Sequence, residues 1–116
     1  MELFFTGPAN PVWTGTISGD INGEMYFHAT RSKDVGQVHH FWEIWEIWDG
    51  DVLLLRGIDN GVVSWKNMKY RMNGMVIEAP GWADLVGHKV HMSGTIIWSN
   101  YPNPAPEEAP GVFQIN

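Results

Sequence analysis

HHFWEIWEIW, residues 39–48, is the stretch whose reading decides the fold. Phe41, Ile44, Trp45 and Trp48 fit the i, i+3, i+4, i+7 spacing of an amphipathic helix. A helix there, wrapped by a sheet, would make a hot-dog-like domain. The composition favours the other reading, because aromatic and β-branched side chains suit a pleated strand. The run also passes straight into Asp49-Gly50, a hairpin pair, with no helix-capping residues between. We read it as a strand. Both of its faces are then apolar: Phe41, Trp45 and Ile47 on one, Val38, Trp42, Ile44 and Trp48 on the other. Such a strand faces the inside of a barrel on one side and a further apolar partner on the other, most simply a second copy of the chain.

The flanking sequence repeats the strand pattern. Trp13, Gly15, Ile17, Gly19 and Ile21 alternate with Thr14, Thr16, Ser18 and Asp20, the period of a half-buried strand. Asn22-Gly23 is a hairpin signal, with a returning strand over residues 24–30 and a polar loop over 31–36. The long strand at 37–48 follows, then Asp49-Gly50, a strand over 51–59, and Asn60-Gly61 as a third turn. Met68, Tyr70, Met72, Gly74 and Val76 form one face of the next strand, and Val90, Met92, Gly94, Ile96 and Trp98 one face of the last. Residues 100–111 hold Pro102, Pro104, Pro106 and Pro110, which predicts an extended tail pinned by Val112, Phe113 and Ile115. The expected fold is all-β: one small antiparallel, calycin-like β-barrel over about residues 10–99, with a proline-rich tail over 100–116. A barrel is preferred to a sandwich because closure removes edges that so apolar a chain could not safely expose.

Composition narrows the function. The 116 residues carry 7 Lys+Arg against 13 Asp+Glu, a net charge of −6, which argues against nucleic acid or an anionic membrane as partner. The absence of cysteine excludes disulfides, thiolate metal sites and a cysteine nucleophile. No apolar run approaches the roughly 20 residues of a membrane span. Residues 1–6 include Glu2 and lack a basic segment, so they do not read as a secretory signal. A cytoplasmic protein is the expectation, with a removed leader left open.

The candidate chemistry lies in charges on apolar strand faces. Glu43 and Glu46 point to opposite faces, so they cannot act together. Parity assigns Glu46 to the lumen, because it shares a face with Val38, His40, Trp42, Ile44 and Trp48. A carboxyl in that setting has its pKa raised and can serve as general acid or base. Arg56, in the row Val52, Leu54 and Ile58, is its expected partner across the hairpin, and a plain buried ion pair is the competing reading. Glu46 and Arg56 are therefore the catalytic candidates. Glu78, with His40, Trp42, Ile44, Trp48, Tyr70 and Met72, is expected to bind substrate. Adjacent His39 and His40 point apart, as do His88 and His91, so no metal and no cofactor are expected.

From Trp45 onward the wording resembles small proteins with the allene oxide cyclase-like barrel fold. The resemblance rests on WEIWDGDVLLLRGIDNGVV (45–63) and KYRMNGMVIEAPGWADLVGHKVHMSGTI (69–96). It runs through Asn73-Gly74, Val76, Ala79, Gly81, Ala83, Leu85, Gly87, Val90-His91 and Gly94. It implies a barrel that takes a flexible, largely apolar substrate into its lumen and works without cofactor, by holding it in a reactive conformation. No catalytic motif of characterised cyclases can be placed residue by residue. The expectation is a cofactor-free barrel that binds a small, mostly apolar molecule and cyclises or isomerises it. A non-catalytic lipid- or carbohydrate-binding barrel and a structural oligomer with a filled barrel are the alternatives. A homo-oligomer, dimer or trimer, is expected through the strip Phe41, Trp45 and Ile47.

Overall fold

The decisive run is a strand. It lies within β4 (Val38–Asp49) of a computed structural model that describes residues 1–7, 13–103 and 105–116. Val35 pairs with Val38 across Gly36, and Asp49 with Val52 across Gly50. Both glycines have positive φ, 62° and 58°, a conformation that a side chain would strain. These two tight connections join β3 (Gly23–Val35), β4 and β5 (Val52–Ser64) into three long antiparallel strands. β6 (Lys69–Glu78) and β7 (Lys89–Thr95) continue the meander, linked by a short 3-10 turn at Ala83–Leu85. β1 (Glu2–Thr6) and β2 (Thr14–Gly19) precede it, and β8 (Gly111–Ile115) follows. β1 pairs with both β2 and β8, so the eight strands close.

Several expectations change here. Asn60-Gly61 is no turn; it lies inside β5, which runs unbroken to Ser64. The polar stretch at 31–36 is no loop, since β3 continues through a bulge between Ala29 and Arg31 to Val35. The apolar end of the expected tail, with Val112, Phe113 and Ile115, forms the closing strand β8. The expected start of the barrel near residue 10, and Pro104 of the tail, fall outside the described residues.

The face of β4 that turns inward is also the one not expected. Phe41, Glu43, Trp45 and Ile47 are buried, while Trp42, Ile44, Glu46 and Trp48 lie on the outer face. The exposed strip expected at Phe41, Trp45 and Ile47 is therefore the core. The partner row on β5 explains the choice. Leu55, Gly57, Asp59, Gly61 and Val63 face inward, and Gly57 and Gly61 stand opposite Trp45 and Phe41. A Cβ on Gly61 would come within 2.7 Å of the Phe41 ring, and one on Gly57 would collide with the Trp45 indole. Large rings on one strand thus lie over bare backbone on the next, which lets bulky side chains fit a narrow lumen. Phe5 over Gly15 and Tyr70 over Gly94 repeat the device.

Trp45, Phe113, Leu3, Met25, Ile47, Leu55 and Met92 fill one part of the barrel, with Trp45 and Phe113 edge to face at 5.0 Å. At the other end the far half of β3, from His28 to Val35, is exposed, so the β3–β4 hairpin projects as an arm beyond the rim.

Candidate functional site

A cavity of about 60 Å³ lies at the end of the lumen nearest this arm. About 10–15 Å³ is enough to hold one water, so that space admits a small group. Its walls are mainly aromatic: Phe5, Trp13, Phe27 and Phe41. Exposed Ala29 and half-buried His39 mark its mouth. His39 is stacked on Phe41, and its Nδ1 lies 2.6 Å from Asp34 Oδ1 on the arm.

The polar floor of the cavity is Glu43. It faces Asp59 directly across β4 and β5, and each residue is only 7% exposed. Burial among rings is the main cause that raises the Glu43 pKa, and the charge and hydrogen bond of Asp59 raise it further. Burial also raises Asp59, partly offset by its hydrogen bond with Glu43. Two carboxyls so placed cannot both ionise cheaply, so burial and their mutual repulsion favour a protonated carboxyl in this pair. Glu43 Oε1 and Asp59 Oδ1 are buried and have no hydrogen-bond partner in the protein. Among the described residues no Lys, Arg or His forms an ion pair with either carboxyl.

Tyr70 completes the polar set. Its hydroxyl donates to the Ala109 carbonyl at 2.7 Å, in space that Gly94 and Gly111 leave open. Burial, with the Glu43 charge, pushes its phenol well above the usual range, so it stays a neutral donor. Met72 and Met92 line the same cavity with flexible apolar side chains.

Among the expected substrate-binding residues, Tyr70 and Met72 line the cavity. Glu46, Arg56 and Glu78 meet one another, but on the outside of the barrel. Arg56 Nε and Nη2 donate to Glu46 Oε2 at 2.9 and 2.7 Å, and Nη1 donates to Glu78 Oε2 at 2.7 Å. His28 Nε2 lies 3.1 Å from Glu46 Oε1. Despite partial burial, the Arg56 and His28 contacts hold Glu46 below its usual pKa, the reverse of a lumen acid. With the Arg56 and Glu78 side chains 33% and 46% exposed, that pair contributes at most about 1 kcal/mol. His40, Trp42, Ile44 and Trp48 are also on the outer face, where Arg31 stacks over Trp42 at 4.4 Å.

The residues that reasoning from sequence missed are Glu43 and Asp59. The available signal was the alternation of Gly57, Asp59 and Gly61 between Leu55 and Val63, a row of small residues that could receive the rings of β4. Comparison with protein-family models, curated proteins and solved structures finds no match to this chain.

Proposed function

We propose that the barrel binds a small, mostly apolar molecule at the open end of its lumen, without a cofactor. Glu43, with Asp59 behind it, is then the acid that acts on it, in a cyclisation or isomerisation. One observation carries this reading: a nine-tenths buried carboxyl on the wall of an aromatic cavity, with an oxygen that has no protein partner. A carboxyl kept protonated by burial, with Asp59 behind it, supplies a proton donor at the wall, which is what an acid-assisted rearrangement needs. The cavity takes only one end of a ligand, so the rest would lie at the mouth, beneath the arm. Confinement of a long flexible substrate deep in the barrel has no support, because that part is filled by Trp45, Phe113 and their neighbours.

The test is retention and binding of small apolar molecules, followed by native mass spectrometry and thermal shift. Wild type should bind, and Val63→Phe, which fills the cavity, should fold and lose binding. If wild type retains nothing and responds to no fragment, the barrel is a filled structural one. Among binders, turnover with a pH–rate profile that bends with the carboxyl pair separates an enzyme from a non-catalytic lipid- or carbohydrate-binding protein.

A further inference from the structure

We infer that a groove on the outer face of β4, β5 and β6 is a second binding site, one that takes the phosphate group of a small phosphorylated molecule. It lies across the sheet from the lumen, so it does not depend on the ligand reading above.

The groove has a volume of about 210 Å³, and the strand register lays it out. His40, Val62 and Arg71 form one row across the three strands, and Trp42, Asn60 and Asn73 form the next. That volume is many times the space of one water, so it holds a phosphate and an organic group attached to it.

The polar lining is rich in donors. Arg71 brings a guanidinium, and Asn60 and Asn73 each bring an amide NH₂. His91 Nδ1 lies 2.9 Å from Asn73 Oδ1, which occupies that acceptor and leaves the Asn73 amide nitrogen to donate. On the flank, Arg31 and Lys33 of β3 pair with Trp42 and His40, and the Arg31 guanidinium is stacked 4.4 Å from the Trp42 ring. Among the described residues Arg31, Lys33 and Arg71 form no ion pair. No carboxylate lines the groove. On this face of β4 the nearest one is Glu46, four residues from Trp42, or roughly 13 Å along the strand, and Arg56 already engages it. In a chain of net charge −6, the free cations of this face are thus gathered beside one groove.

The donor set selects the anion. A carboxylate has two oxygens, which Arg71 alone could satisfy as a bidentate pair. A phosphate monoester carries a charge of about −2 and three terminal oxygens, so it can use Arg71, both amides and the flanking cations together. A neutral sugar would find no carboxylate to receive its hydroxyl protons. A long polyanion would run onto Glu46 and Glu78 and meet the net negative charge of the chain. Val62 and half-buried Trp42 offer apolar surface to the attached organic group.

Phenyl phosphate is the probe and benzoate its carboxylate counterpart, each titrated into dilute intact protein at constant ionic strength. NMR of the Trp42 indole and of the Asn60 and Asn73 side-chain amides follows binding. Phenyl phosphate should move these signals and bind about tenfold more tightly than benzoate. Arg71→Gln and Asn73→Asp, both at exposed positions and checked for folding by circular dichroism, should each weaken it by about tenfold or more. Lys89→Gln removes an equal charge at the start of β7, opposite Met75, and should change binding by less than about twofold. A loss as large with Lys89→Gln would reduce the effect to general charge attraction and overturn the site. Benzoate binding as tight as phenyl phosphate would overturn the phosphate class, and silence at all three side chains would overturn the groove. Recruitment to vesicles containing phosphatidic acid, without binding of phenyl phosphate, would give the face to a membrane and overturn the inference. None of these outcomes touches the lumen reading, which Val63→Phe tests in the other cavity.

Discussion

Glu43 and Asp59 fold with pKa values above those of the unfolded chain, so they stabilise the protein in acid and weaken it as pH rises. Glu43 is pushed from 4.5 up to about 10, and Asp59 from 3.8 up to about 7. Their contribution is complete below about pH 4 and is lost as pH rises through those folded values. Glu46, held low by Arg56, works the other way: its contribution is present above the usual range and fades in stronger acid. Urea denaturation should therefore show greatest stability near about pH 4–5 and a decline towards pH 8. Asp59→Asn should remove much of that decline and stabilise the barrel at neutral pH by about 1–3 kcal/mol. Wild-type stability that rises between those pH values would contradict the raised carboxyl pair. At this scale the sequence was only half legible. That one glutamate of β4 had to face the lumen followed from parity. Which one did not, because both faces carry Trp and Ile, and the Gly57–Asp59–Gly61 row that decides it acquires meaning only once β4 and β5 are paired.

Strands give a different test. The inward rings need bare backbone beside them, so a methyl group at the right glycine should cost more than an equal change on the outer face. Gly57→Ala places a Cβ against the Trp45 indole and the Met75 carbonyl, neither of which can move without repacking the lumen. The expected loss is about 1–3 kcal/mol or more, measured by chemical denaturation. Gly81→Ala, where a Cβ meets nothing, is the control and should change little. A tolerated Gly57→Ala would mean that the β4–β5 register is wrong. The elements most visible in the sequence were those with clean alternation and a single connection, such as β6, β7 and the Asp49-Gly50 hairpin. β1 and β8 were missed as strands because each is five residues long and their mutual pairing joins opposite ends of the chain. Asn60-Gly61 misled because its glycine serves an aromatic neighbour instead of a turn.

For the whole molecule, the outer face of β3–β6 is polarised. Arg31, Lys33, Lys69 and Arg71 lie towards the arm, while Glu24, Glu46 and Glu78, with Arg56 between the last two, lie towards the opposite end. Between them Ile44, Ile58 and Met75 form one register row across three strands, with Ile58 44% and Met75 43% exposed. A two-fold contact through that row would set the basic end of one copy against the acidic end of the other. Burial of each apolar side chain is worth about 1.5–3 kcal/mol. Sedimentation at concentrations of about tens of micromolar should show a dimer, and Ile58→Asp should make it monomeric. A monomeric wild type would end this expectation. The closure of the barrel has a kinetic consequence of its own. β3, β4 and β5 are joined by tight hairpins, whereas the β1–β8 pairing brings together Leu3 and Phe113 from opposite ends of the chain. Loop-closure entropy opposes that seam until the rest of the sheet exists to hold it, so it is expected to form last. Pulse-labelled hydrogen exchange should find the amides of β4 shielded first and those of β1 and β8 last, and until then the unsealed sheet is a template for any other unpaired strand.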